Sequence, residues 1–276
     1  MSATERATAP QAAGTGPRKL EGRVALVTGG TRGIGAAIAR DLAAEGAAVA
    51  VGFSSNQEKA NEFLAGLDRD GYKASLHQGN VGDWDDCQRT IKDVIEQHGR
   101  LDILVNNAGI TADRPVMKMT PDDWHKVLRV NLSGAFYLSK PALEHMVERG
   151  TGRIVNISSI IGQMGNIGQA NYAASKSGLF GLTMTMAREA AHALAKADKL
   201  HEGGPSLTVN AVAPGFIETD MLATVPDKVL DKIRAQVPLG RLGRAEDISR
   251  MVEFLCEDAA SYITGQVFAV NGGMEM

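Results

Sequence analysis

The chain has 276 residues, 44% of them hydrophobic and 22% charged, and its 29 lysines and arginines nearly balance 32 aspartates and glutamates for a net charge of −3. This is the composition of a globular protein with a sizeable core, and without a long basic run it excludes nucleic acid and an anionic membrane surface as partners, leaving a small molecule. Two cysteines outside any CxxC pattern, Cys87 and Cys256, and six histidines without ligand spacing exclude a disulfide framework and a metal site, so a reducing, cytoplasmic setting is expected.

The first stretch, MSATERATAPQAAGTGPRKL, has no continuous apolar segment. It predicts neither a signal peptide nor a membrane span but a disordered tail over 1–19, ahead of a single domain over 20–276. From residue 23 short apolar runs alternate with stretches of helical periodicity, the signature of βαβ units. Strands are predicted at 24–28, 48–53, 74–79, 102–107, 153–158, 207–213 and 266–271. Helices are predicted at 33–45, 56–69, 84–98, 121–148, 171–199, 226–236 and 246–257. Near-continuous apolar strands suit a sheet buried on both faces, and right-handed crossovers then give an α/β, Rossmann-like, doubly wound parallel sheet of seven strands in the order 3-2-1-4-5-6-7. Ligands of such a sheet sit beyond the carboxyl ends of the strands. The longest departure from tight alternation, 216–240, carries a helix between Pro226 and Pro238 and is expected to act as a lid.

The first strand runs into TGGTRGIG, residues 28–35, and then into an alanine-rich helix. Gly29, Gly33 and Gly35 would permit a tight turn, a close approach of backbone to a pyrophosphate and close helix packing. The spacing is G-xxx-G-x-G and not G-x-G-x-x-G, and a glycine turn without a ligand is the alternative. After the second strand, VGFSSNQEK holds no acid before Glu58 to bind ribose hydroxyls. Ser54 and Ser55 offer hydroxyls and Arg32 can reach the same region, which argues for NADP(H) over NAD(H). In NYAASK, Tyr172 and Lys176 fall on one helical face, a pattern that many helices carry by chance.

TGGTRGIG, NNAG at 106–109, Asn131 in VNLSG, Ser159 in NISS, YAASK and APG at 213–215, in that order, resemble the short-chain dehydrogenase/reductase family over residues 20–276. The resemblance implies that Tyr172 is the general acid, with Lys176 and the oxidised nicotinamide lowering its pKa from about 10. It also implies that Ser159 binds the substrate oxygen, that Lys176 binds the nicotinamide ribose, and that Asn131 holds a water relaying protons to Lys176. Without it, Ser159 reads as a strand-end turn residue and Asn131 as a buried helix polar group. Thr31 and Ile34 would complete the glycine loop, Asn80 and Val81 would border the adenine, and Asn107, Ala108 and Gly109 would line the adenosine side. Pro214, Gly215 and Thr219 would border the nicotinamide. Each of these is otherwise turn chemistry.

Within the family the chain is most similar to the β-ketoacyl thioester reductases, through NNAGIT, KMTPDDW, GRIVNISSIIGQMGNIGQANYAASKSG, NAVAPGFIETDM and VNGG. The implied reaction is NADPH-dependent reduction of a 3-oxoacyl thioester, carried on CoA or on the acyl carrier protein of fatty acid biosynthesis, to the (R)-3-hydroxyacyl thioester, by a homotetramer joined through its final strand. Gln163, Met164, Ile167, Gln169 and Phe216 are the candidate acyl contacts, or else loop and packing residues. GNVGDWDDC, MVERGTGRIVNISS and VLDKI favour the CoA type, and the connection over 191–206 is about ten residues longer than the tight link typical of the family. Basic docking positions of the carrier-protein type would fall near Gly150 and Ala193, close to Arg149 and Lys196. Two alternatives remain: a sugar or secondary-alcohol dehydrogenase of the same family, and a cofactor-binding regulator, which loss of Tyr172 or Lys176 would have betrayed.

Overall fold

Five residues, Val24–Thr28, form the first strand, β1, and their side chains alternate between two buried layers. Ala25 and Val27 join one cluster, Val24 and Leu26 the other. A strand buried on both faces needs a helix layer on each side, which is why it reads as a continuous apolar run. The computed structural model describes residues 18–200, 206–220, 222 and 225–275.

After β1 come α1 (Gly33–Ala44), β2 (Ala48–Phe53), α2 (Gln57–Arg69), β3 (Ala74–Gln78), α3 (Trp84–His98) and β4 (Ile103–Asn106). The second half holds α4 (Pro121–Leu128), α5 (Gly134–Arg149), β5 (Gly152–Ile157), α6 (Ile161–Met164), α7 (Ala170–Lys196), β6 (Leu207–Pro214), α8 (Asp227–Gln236), α9 (Ala245–Cys256) and β7 (Val267–Val270). All neighbouring strands pair in parallel, in the order β3-β2-β1-β4-β5-β6-β7, as the sequence predicts. Helices α1, α2 and α9 cover one face through Ile38, Leu42, Phe63, Leu67, Ile248 and Val252. Helices α3, α5 and α7 cover the other through Ile91, Val94, Leu138, Met146, Met186 and Leu194. Winding reverses between β1 and β4, so a crevice opens beyond their carboxyl ends.

The structure departs from the predicted elements in several places. The single helix expected over 121–148 is interrupted by a π-helical turn, Arg129–Ser133, which contains Asn131. Directly after it Gly134 lies against the loop that follows β3, where a Cβ would come 2.6 Å from the Val81 carbonyl oxygen. A wider turn and an absent side chain together let the helix approach that loop. Helix α6 and a 3-10 turn, Val116–Lys118, occupy segments predicted as loops, because three or four residues are too few to show periodicity. The long helix ends at Lys196, not 199, and Asp198 adopts a left-handed φ of 54° just after it.

Of the predicted tail, residues 1–17 lie outside the described residues, as do 201–205 of the long 191–206 connection. Lys19 pairs with Glu257 at 2.7 Å, and Leu20 is fully buried. Among the described residues no helix is long and apolar enough to cross a membrane, and no group of three or more His, Cys, Asp or Glu could hold a metal ion.

Candidate active site

The glycine loop after β1 is shaped by contacts that no side chain could share. Gly29 and Gly33 have φ of 60° and 52°, the left-handed region that glycine enters without strain. A Cβ on Gly35 would lie 2.2 Å from the Gly29 carbonyl oxygen and 2.5 Å from Asn107 Nδ2, so the start of α1 closes directly onto the loop. Arg32 is the N-cap residue and makes no side-chain cap, which leaves the first-turn N–H groups of α1 available to an anion. Thr31 and Ile34 are half-buried within the same turn.

The loop is tied to the strands on either side. Gly30 N–H donates to the Gly52 carbonyl at 3.0 Å, which brings it beside the end of β2, where Ser54, Ser55 and Arg32 are all exposed. On the β4 side Asn107 Nδ2 donates to the Thr28 and Gly29 carbonyls, at 2.9 and 3.2 Å. Thr28 Oγ1 accepts the N–H groups of both Asn107 and Ala108 at 3.0 Å. Thr219 reaches the loop from the other end of the chain, its Cγ2 lying 3.4 Å from where a Cβ on Gly33 would sit. The Pro214 carbonyl accepts Ile160 N–H at 2.8 Å, and Gly215 packs so tightly on Asn271 that a Cβ would come within 2.8 Å of its Cα. Asn80 is exposed after β3, its Oδ1 accepting Gly82 N–H at 3.0 Å, with half-buried Val81 beside it.

Asn131, Ser159, Tyr172 and Lys176 meet at the carboxyl ends of β4 and β5. Lys176 is 4% exposed, and its Nζ donates to the Ile157 carbonyl at 2.7 Å. It lies 5.7 Å from the centre of the Tyr172 ring. A Cβ on Gly109 would lie 3.4 Å from Asn131 Oδ1 and 3.5 Å from Lys176 Nζ, so Gly109 leaves room between the two. Asn131 Oδ1 accepts Ile110 N–H at 2.8 Å, while Nδ2 donates to the Ile110 carbonyl and to Ser175 Oγ. Ser175 Oγ in turn donates to the Tyr172 carbonyl at 2.7 Å. Ser159 Oγ accepts Ile161 N–H at 3.1 Å, and its own proton is directed to the Tyr172 phenol oxygen.

Burial dominates the electrostatics of the pair. Burial pushes the Tyr172 phenol above its ordinary value near 10, with the Ser159 hydroxyl opposing that and the Asp113 carboxylate adding to it. Burial also pulls the Lys176 ammonium down to about 8. Lys176 is thus destabilised as a cation, and in the protein alone desolvation of the phenolate outweighs the opposing hydrogen bond from Ser159. Tyr172 is therefore protonated at neutral pH, the state an acid requires.

A profile of the short chain dehydrogenase family matches residues 23–230. The chain belongs to the short-chain dehydrogenase family. Its curated relatives include proteins named 3-oxoacyl-[acyl-carrier-protein] reductase FabG. The one from Staphylococcus aureus is 44% identical over 252 residues, covering 91% of this chain and 98% of the relative. The one from Salmonella typhimurium is 45% identical over 257 residues, covering 93% and 99%, and that from Aquifex aeolicus 44% over 258 residues, covering 93% and 98%. All three carry the acyl carrier protein in their names, whereas the local motifs favoured CoA.

As a short-chain dehydrogenase the protein is an oxidoreductase of the CH–OH/C=O couple that works with a nicotinamide cofactor. The site fits that group: a cradle closed to any Cβ, an uncapped helix N-terminus and a buried cation face one crevice. The remaining candidates sit on its rim. Met164 and Ile167 are 54% and 93% exposed, Gln163 is exposed, and Phe216 is half-buried with its carbonyl accepting Gly243 N–H. Gln169 Nε2 donates to Asp113 Oδ2 at 3.0 Å. Sequence reasoning missed the residues that hold this dehydrogenase's site in place: Thr28, Ser175 and Asn171, whose Nδ2 donates to the carbonyls of Ala112 and Asp123. It also missed Asp113. Nothing in their local sequence distinguishes them, because their roles depend on contacts with distant segments.

Proposed function

We propose that this dehydrogenase reduces a 3-oxoacyl thioester to the (R)-3-hydroxyacyl thioester with NADPH, as a step of fatty acid biosynthesis. The observation that carries this is the assembled set of Asn131, Ser159, Tyr172 and Lys176 in a chain 44–45% identical, over more than nine-tenths of its length, to reductases named for that reaction. When bound, the reduced nicotinamide supplies hydride to C3 of the substrate. Negative charge then develops on the 3-oxo oxygen, where the Ser159 O–H, beside the Tyr172 phenol, donates and stabilises it. Tyr172 gives its phenolic proton to the same oxygen. The phenolate left behind lies near Lys176, whose ammonium has one of three donors on Ile157 and keeps the others for the ribose hydroxyls and for proton return. The Asn131 amide is spent on Ile110 and Ser175, so a relay through this residue would use its main-chain carbonyl.

Ser54, Ser55 and Arg32 support NADPH over NADH, since a 2′-phosphate would meet hydroxyls and a guanidinium there and no carboxylate before Glu58. An aspartate introduced by Ser54→Asp should shift the NADPH:NADH ratio of kcat/KM toward NADH by at least about tenfold, through like-charge repulsion. An unchanged ratio would remove Ser54 from the phosphate site.

The segment 216–240 is the lid of this reading. Its helix α8 buries no residue, while Ile217 and Val237 anchor it at either end, the former through a bridge to Gly243. The acyl carrier protein is the favoured carrier, since the relatives bear that name, and CoA thioesters serve as its surrogate. A homotetramer is formed through β7, an edge strand with no fully buried residue and with Ala269 exposed. The reading is tested by NADPH consumption with 3-oxoacyl thioesters against polyol oxidation in a parallel panel. Thioester turnover supports it, and polyol oxidation alone would replace it with the alcohol dehydrogenase reading.

A further inference from the structure

Two loops at the mouth of the site carry apolar side chains that the reaction at C3 does not require. In the 3-10 turn after β4, Val116 is 69% and Met117 97% exposed. On the loop after β5, Met164 and Ile167 are similarly open to solvent. Single exposed apolar residues are ordinary on a protein surface, whereas neighbouring ones mark a contact site.

These two loops are fastened together. Arg114 N–H donates to the Gly168 carbonyl at 2.7 Å, and Gln169 Nε2 holds the Asp113 carboxylate at 3.0 Å. The 112–118 loop is also fixed to the catalytic helix, because Asn171, the residue before Tyr172, donates to the Ala112 carbonyl at 3.0 Å. Of the nearby charges, Arg114 lies 3.3 Å from Asp123, which also accepts the N–H of Thr120, while Lys118 is exposed at the end of the turn. What Val116, Met117, Met164 and Ile167 offer a ligand emerging from Tyr172 is aliphatic.

We propose that Val116 and Met117, with Met164 and Ile167, form an apolar rim that grips the acyl tail beyond C3, making the enzyme selective for longer 3-oxoacyl thioesters over the four-carbon one. This rests on the thioester reading above. An unbranched methionine side chain adapts to tails of differing length, which suits a rim better than a closed pocket. A methylene wholly removed from water is worth roughly fourfold in affinity, so a rim covering about half of each contributes about twofold per carbon.

The test is kcat/KM for the four-, six-, eight- and ten-carbon 3-oxoacyl-CoA thioesters in the unaltered protein, in Met117→Ser with and without Val116→Ser, and in Met117→Leu. The expected ratio of ten-carbon to four-carbon kcat/KM is about sixtyfold in the unaltered protein, twofold compounded over the added methylenes. It should fall several-fold in the serine variants and be kept by Met117→Leu. A flat series in the unaltered protein, or a ratio that the serine variants leave unmoved, overturns the rim while leaving thioester reduction in place. Failure of every thioester overturns both.

Discussion

Replacing Tyr172 with phenylalanine will abolish turnover and leave cofactor binding intact. The substitution removes one oxygen and keeps the ring, so the packing of α7 against the loop after β4 is unchanged. What is lost is the proton at the substrate oxygen, and a positioned general acid is worth roughly 10²–10⁴-fold in rate. A fall in kcat of about 10³-fold is expected, with NADPH affinity by fluorescence titration within about twofold of the unaltered protein. The structure strengthens the case for a protonated Tyr172, because burial raises its pKa and the Ser159 hydroxyl only partly offsets that. Retained turnover would remove Tyr172 from the role of acid.

Lys176→Met should separate stability from activity. The ammonium is buried, its pKa falls from 10.5 to about 8, and it makes one hydrogen bond, to the Ile157 carbonyl. A shift of that size corresponds to about 3 kcal/mol of destabilisation of the folded state. Against it stands about 1 kcal/mol for leaving the Ile157 carbonyl without its donor. The methionine variant should therefore be more stable by about 2 kcal/mol at pH 7, and inactive.

The pH dependence fixes the sign. Below the folded pKa of about 8 both states carry the proton and the penalty is complete. Between that value and 10.5 the unfolded chain binds more protons than the folded one, so the lysine protein gains stability as pH rises. The variant lacks this gain, and its advantage should shrink from pH 8 to pH 10. Tyr172 and the two buried cysteines titrate in both proteins and largely cancel in the difference. Urea unfolding at pH 7 and pH 10 measures it; a variant less stable at pH 7, or an advantage that does not change with pH, would show that burial does not strain this lysine.

The central strands were legible because β1, β2, β4, β5 and β6 are buried on both faces and so read as apolar runs, and for all seven strands predicted and observed ranges agree to within a residue or two at each end. The glycine loop was legible because its position between strand and helix restricts what it can do. Other features depend on contacts across the fold. The π-helical turn at Asn131 reflects the approach of Gly134 to Val81, some fifty residues earlier in the chain, and helical periodicity at 121–148 cannot report it. The burial of the pair was not legible either: the Tyr/Lys spacing shows that two groups are near each other, and only the fold shows that desolvation raises the phenol and lowers the ammonium. Thr28 and Ser175 are ordinary residues in sequence and hold the site only because β1, β4 and α7 meet there.

The central claim is thioester reduction, and its most direct measurement is product formation from acetoacetyl-CoA and NADPH by the purified protein, followed by NADPH absorbance and chiral chromatography. The expected result is one (R)-3-hydroxybutyryl-CoA for each NADPH consumed. No thioester product alongside robust polyol oxidation, or intact NADPH binding with no turnover of any substrate, would contradict it.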